Sequence, residues 1–425
     1  MTRDARVANL PLVVGSMLIV SGVVCNPWLV GALLSTDGQI GRPLHRAIGW
    51  GISIAVVLSG IAMVRFRLRP SVWTAASLSR LPLLIAWTLL VLEISVRAAN
   101  SVYALERPPQ LANTYSNEWL EGGDWFNGLT RLYRYTPNSS GSTYGHPFRA
   151  NRWGFRGPDF QPRERKPDGS FRVLVLGDST TMGEAVAEEQ RYSDVLSREL
   201  RRAYPGLSIE VINLGVSGLE TLQEAKIMRR FWSVVEPDFV ILGFSINDPN
   251  LHYDYFDTYK VPMPAALRTL LGRFESFRLF EQMYDITYRK VRRKPTALEE
   301  MWEGYAPQSR DWQLFQRSVA DIGMFTREKL NRAPMAICLH EVNELKQHGV
   351  YRQVMDTFEA NGFTWVEIPS GVFQPVSRFE AHANESTHQQ FARTLFERIE
   401  REHVIEAWQA ESGRFQHSSP HFQDK

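Results

Sequence analysis

Apolar residues crowd the first hundred positions and then thin out. Leu10 to Leu34 is nearly continuous apart from Asn26-Pro27, a second run covers Ala47 to Val64, and a third covers Leu81 to Ala98. Each approaches the ~20 residues that a membrane-crossing helix requires, so three transmembrane helices are predicted at about 10–34, 47–64 and 81–98. A cleaved leader is the rival for the first run. Two further spans argue against it, and Val24 is too large to precede a lipoprotein cysteine at Cys25. With the N-terminus inside, the inner segments hold Arg3, Arg6, Arg65, Arg67, Arg69 and Arg80, and the outer ones Arg42, Arg46, Arg97 and Arg107. That bias puts everything after the third span outside the cytoplasm, on the periplasmic or extracellular side of an inner membrane. Glu93 falls within the third span, either as a functional intramembrane acid or, the reading preferred, near the helix end and reaching the interface.

Residues 100–170 are rich in Tyr, Trp, Asn, Ser and Gly and show little periodicity, which predicts a linker and lead-in packed on the domain that follows. From 171 to 411 the pattern changes to short β-branched and aliphatic runs alternating with amphipathic segments. Strands are predicted at Val173–Leu176, Leu207–Leu214, Phe239–Phe244, Met335–Leu339 and Thr364–Ile368. Helices are predicted at Val186–Ala203, Glu220–Val235, Val350–Ala360 and Phe391–Trp408, with a helical insertion at about 250–331. Such alternation means an α/β fold, a parallel sheet covered on both faces, with its ligand site at the carboxyl ends of the strands. The tail, 412–425, is polar and expected to be mobile.

Composition changes this picture little. A net charge of +2 over 425 residues argues neither for nucleic acid nor for an acidic substrate, and no nucleic-acid partner is expected. Two cysteines, Cys25 in an apolar run and Cys338 in a strand, do not make a disulfide framework. The basic run Arg289-Lys-Val-Arg-Arg-Lys294 reads first as a solvated helix face, with lipid headgroups or an anionic glycan as alternatives. His340 could line the crevice, but no His/Cys/carboxylate group has metal-site spacing, and Gly177 to Gly183 lacks the lysine of a nucleotide loop. No cofactor is called for.

The candidate chemistry sits at three strand ends. Val173–Leu176 runs into Gly177-Asp178-Ser179, a strand, tight turn and helix with a serine at the turn. There the helix N-terminus favours the negative charge formed when a serine attacks an ester. The second strand leads to Gly218, whose backbone can approach a reacting atom closely, and the third to Asn247, whose side-chain amide enters the same crevice. The Ser179 and Gly218 N–H groups and the Asn247 amide would form an oxyanion hole.

These residues resemble the SGNH (GDSL-like) hydrolase superfamily from about Asn151 to Glu400: Gly177-Asp178-Ser179 its first block, Gly218 its oxyanion glycine, Asn247 its asparagine. Asn151-Arg-Trp-Gly-Phe-Arg-Gly157 resembles a lead-in of membrane-tethered bacterial members. The resemblance implies a flavodoxin-like five-stranded sheet and an esterase, lipase, or carbohydrate acetyl-esterase or acetyltransferase. Two histidines compete for the general base. His382 starts a run that resembles the family's last block, yet Phe379 stands where the orienting aspartate belongs; His388 has Glu385 three residues before it but falls inside a helix. His382 is preferred, with Glu380, Glu385 or a backbone carbonyl as its partner. The expected activity is a membrane-anchored serine esterase or O-acyltransferase acting on acylated envelope carbohydrate or lipid. The alternative is a non-catalytic binding or scaffold module, which the missing acid favours.

Overall fold

The computed structural model describes residues 15–16, 18–20, 22–23, 26–28, 43–65, 90, 93–94, 97, 113–122, 129, 131–162, 169–250, 259–295, 297–377 and 380–416. The chain divides into two compact units. One is Met1–Glu106 with Phe256–Leu298, and the other is Arg107–Tyr255 with Glu299–Lys425.

In the first unit lie α1 (Pro43–Arg65) and, later in the chain, α5 (Ala265–Leu271) and α6 (Glu275–Arg292). Counted over the described residues, no helix is long and apolar enough to cross a membrane. Most of the first and third predicted spans lies outside those residues, while the second coincides with α1. Glu93 is a capping group: its carboxylate accepts from the backbone N–H of Glu275 (3.1 Å) and Ser276 (2.9 Å) and from the Ser276 hydroxyl (2.7 Å). These are the orphan donors of the first turn of α6.

The second unit opens with β1 (Asn117–Glu121), β2 (Leu132–Tyr135), β3 (Ser140–Thr143) and β4 (His146–Arg149), paired β1–β2 and β3–β4 in two antiparallel sheets. The segment expected to lack periodicity therefore contains four strands, too short to register as an alternation. Tyr133, Tyr135, Phe148 and Phe155 pack into the main core from here.

Then come β5 (Ser170–Leu176), α2 (Ser179–Met182), α3 (Tyr192–Ala203), β6 (Ser208–Asn213), α4 (Thr221–Val235) and β7 (Phe239–Phe244). After the excursion through α5 and α6 the chain forms α7 (Ala297–Glu303), α8 (Arg310–Leu330), β8 (Met335–Cys338), α9 (Val342–Gln347), α10 (Tyr351–Ala360) and β9 (Thr364–Glu367). It closes with β10 (Pro375–Ser377), β11 (Glu380–Ala383), α11 (Glu385–Arg401) and α12 (Val404–Gln416).

The five expected strands form one parallel sheet of order β6-β5-β7-β8-β9. Residues of β5 alternate between its faces, as the two-residue period of a strand requires. Leu174 and Leu176 join a core with Met228, Phe231, Val319 and Phe358, whereas Phe171, Val173 and Val175 join one with Leu196, Phe391 and Leu395. Because β6 and β7 flank β5 on opposite sides, β5 is the topological switch point, where the loops beyond the strand ends leave a crevice.

Three boundaries differ from the sequence expectation. The helix expected from Val186 starts at Tyr192, because residues 188–190 form a separate 3-10 turn and Arg191 is extended before the helix begins. The insertion expected at 250–331 is split: α5 and α6 belong to the first unit, α8 to the second, and α7 spans the boundary after Leu298. The closing helix starts at Glu385, capped by the Asn384 side chain, and α12 continues to Gln416 through part of the expected tail; 417–425 lie outside the described residues.

Candidate active site

Gly177 ends β5 in a conformation that excludes any side chain, since a Cβ there would lie 2.0 Å from Thr181 Oγ1. Asp178 caps α2 by accepting from the Thr180 N–H (2.9 Å) and accepts the Ser179 hydroxyl at 3.3 Å. Asp178 is buried, whereas Ser179 is only half-buried, so its hydroxyl is open to the crevice.

The histidine that meets it is His382. Its Nε2 lies 2.9 Å from Ser179 Oγ, brought there by β11, immediately before α11. His388 lies in the core of α11, fully buried. It stacks on Tyr192, and its Nδ1 accepts the Tyr192 N–H at 3.2 Å. Burial, with Arg191 adding to it, lowers its pKa to about 3, so the ring is neutral, and its Nδ1 is engaged by the Tyr192 backbone rather than by Ser179. Glu385 is exposed in the first turn of α11, and the side chain of Glu380, like residue 379, lies outside the described residues.

Gly218 and Asn247 occupy the loops after β6 and β7, the two strands beside β5. Gly218 takes φ 76°, a left-handed value that glycine alone adopts at no steric cost. Its carbonyl accepts from buried Arg131 (2.9 Å), which also pairs with buried Glu220. Asn247 is half-buried next to buried Asp248, which accepts the Ser245 N–H at 3.1 Å. Burial and the neighbouring Asp178 hold the Asp248 carboxyl well above the usual carboxylate range, and burial does the same to Glu224 beside it.

One residue at the site had no sequence signal of its own. Glu184 is buried, and its Oε2 lies 3.8 Å from His382 Nε2 and accepts the Ser217 hydroxyl at 2.7 Å; Asn113 donates to its other oxygen. It stands on the serine side of the imidazole, and so does not replace an aspartate at Nδ1. Its peptide is held by the lead-in. Arg156 donates to the carbonyls of Gly183 (2.6 Å), Val186 (2.9 Å) and Pro147 (3.1 Å), while Asn151 Oδ1 accepts the N–H groups of Trp153 and Phe155. This is the physical content of Asn151–Gly157: a compact turn that buries a guanidinium against the loop after the serine. Burial and Arg191 lower the Arg156 pKa to about 10, still charged at neutral pH. Arg156→Ala is expected to cost about 3 kcal/mol or more, because three carbonyls lose a charged donor together. A fall in the urea midpoint checks it.

Among the described residues no group of three or more His, Cys, Asp or Glu could hold a metal ion. A hydroxyl in contact with an imidazole at a strand end is the pairing that nucleophilic acyl transfer uses. Residues 175–329 match the GDSL-like Lipase/Acylhydrolase family. No curated protein matches the sequence significantly. Similar solved structures include TesA, at 15% identity and TM-score 0.34 over 54% of this chain and 97% of that one. LAE5, an alpha/beta hydrolase enzyme from the metagenome of Lake Arreo, is similar at 16% identity and TM-score 0.33, over 53% and 93%. A catalytic mutant of Axe2, an acetylxylan esterase from Geobacillus stearothermophilus, is similar at 15% identity and TM-score 0.33, over 54% and 95%. The family match, falling on the strands and loop that hold Ser179, Gly218 and Asn247, supports placing this α/β unit in the GDSL-like lipase/acylhydrolase (SGNH) superfamily, as an ester-hydrolysing enzyme.

Proposed function

We propose that this chain is a membrane-anchored serine esterase or O-acyltransferase acting on acyl esters, chiefly acetyl esters, of an envelope carbohydrate or lipid. The 2.9 Å contact between Ser179 Oγ and His382 Nε2 carries the reading. His382 takes the serine proton as Ser179 attacks the ester carbonyl, and the oxyanion is held by the Ser179 and Gly218 N–H groups and the Asn247 amide. Collapse expels the alcohol, protonated by His382, and leaves an acyl-enzyme. Water or an acceptor hydroxyl, deprotonated by His382, then releases the acyl group. Hydrolase and transferase differ only in which of these arrives.

Glu184, 3.8 Å from Nε2, favours the imidazolium formed in each step. Glu184→Gln is expected to lower kcat about tenfold with KM little changed, measured in steady state. Asn247→Ala is expected to lower kcat about 10²–10³-fold.

The anchor is supported by the three apolar runs, the arginine bias, and packing in the first unit. A Cβ on Gly60 would lie 2.6 Å from the Gly15 carbonyl, so two backbones touch where small residues permit it. Trp50, Ile54, Leu58 and Ile61 of α1 remain about half exposed, a face suited to lipid. On this reading the catalytic unit sits on the periplasmic or extracellular side of an inner membrane.

The test is turnover of p-nitrophenyl acetate by the full chain in detergent, with and without an acceptor oligosaccharide. Release of nitrophenol is the expected result, and faster release with acceptor plus an acylated product identifies a transferase. No turnover of any short acyl ester would leave the non-catalytic module as the better reading.

A further inference from the structure

The insertion α5–α6 has no role in the chemistry above, and its surface is unusual. Leu267 and Leu270, one turn apart on α5, are 43% and 53% exposed; Phe274 in the connecting turn, and Leu279 and Phe280 on α6, are 46%, 42% and 51% exposed. Residues 265–294 carry eight Lys and Arg against three Asp and Glu. All three acids pair within the segment: Glu275 with Arg278, Glu281 with Arg268, and Asp285 with Arg289. The positive excess therefore gathers at the end, where Arg292, Arg293 and Lys294 are exposed beside Val291. Basic residues in a last helical turn are ordinary complements of the helix dipole. Two of these, Arg293 and Lys294, lie past the end of α6, and the dipole does not account for the exposed aromatic and aliphatic side chains.

The second observation is where α6 begins. Glu93 caps its first turn, and Arg97, bonded to Glu93 at 2.6 Å, donates to the Arg273 carbonyl at 3.2 Å. Both grips come from the end of the third apolar run, Glu93 and Arg97 standing five and one residues before Ala98, so α6 starts beside the end of that run. In a membrane-crossing reading that end is where the hydrocarbon gives way to headgroups.

We propose that α5 and α6 lie in the membrane–water interface, with Leu267, Leu270, Phe274 and Phe280 entering the acyl boundary and Arg292–Lys294 on anionic lipid headgroups. Exposed apolar side chains beside clustered basic ones are the composition of an interfacial helix, and charge complementarity selects anionic lipid. The proposal rests on the membrane-anchor reading.

The full chain, with Cys25→Ser, is reconstituted in vesicles of brominated phosphatidylcholine and phosphatidylglycerol. An environment-sensitive fluorophore is placed at Phe280→Cys, Leu58→Cys or Met324→Cys. Native Cys338 is fully buried with its thiol pushed up to about 12, and does not compete for label. Bromine is expected to quench the label at 280 and at 58 at least twofold, and the label at 324 not at all. Reversing Arg292, Arg293 and Lys294 to Glu, or omitting phosphatidylglycerol, is expected to reduce quenching at 280 alone. Quenching at 58 without quenching at 280, including protection of 280 by a protein partner, overturns the proposal and leaves the anchor standing. Quenching at neither position overturns both.

Discussion

Replacing Ser179 by alanine is expected to lower ester turnover about 10⁴-fold or more and to abolish labelling by a fluorophosphonate. The reason is stoichiometric. The acyl-enzyme needs one oxygen that is both open to the crevice and in contact with a base, and the half-buried Ser179 Oγ at 2.9 Å from His382 meets both conditions. Stability should change little, since the hydroxyl's protein partners are Asp178 and His382 at a partly open position. Equal labelling of wild type and variant would remove Ser179 from the mechanism.

The two histidines should separate cleanly. His382→Ala is expected to lower kcat by a factor comparable to Ser179→Ala, because a serine without its base is a poor nucleophile. His388→Leu should retain activity within a few-fold and instead lose about 1–3 kcal/mol of stability at neutral pH, since the Tyr192 N–H loses its acceptor. Its pH dependence identifies it further. The native ring, at about 3, stays neutral, whereas the unfolded chain binds a proton below about 6.5. The unfolded state thus holds more protons in that window, and the ring's contribution is present above it and lost as pH falls through it. Wild type should lose stability relative to His388→Leu by on the order of 1 kcal/mol per pH unit between about 6.5 and 3. Parallel stability curves for the two proteins would contradict this account of His388.

What the sequence made legible follows the strength of each physical signal. Val173–Leu176 of β5 and the whole of β7 are buried on both faces and carry no polar residue, so they stand out. The serine is visible because a strand, glycine, cap and helix must occur in that order to present it. Preferring His382 over His388 rested on chain position, one before a helix and one within it, and on the resemblance of the run that His382 starts. The lead-in strands were hidden because runs of four or five residues have no long period to detect, and their aromatic side chains pack largely on one another, Tyr115 on Tyr135, Trp119 on Tyr133 and Tyr135 on Phe148. Glu184 was hidden for a different reason. Its value lies in a 3.8 Å distance to a residue 198 positions away, which no local pattern encodes. Arg156 could have been found, since it lies in the Asn151–Gly157 lead-in and an arginine set between Phe155 and Gly157 invites the question of what its five donors reach.

The division of the chain has a practical consequence for anyone cutting it. The polypeptide passes between the two units three times, after residues 106, 255 and 298. Expression from residue 107 onward would therefore keep α5 and α6 while deleting Glu93 and Arg97, the groups that dock them. Such a fragment carries a greasy, cationic appendage stripped of its seat, a recipe for clumping unrelated to the health of the catalytic body. Removing residues 256–298 together with the front excises the whole first unit and is the more rational boundary.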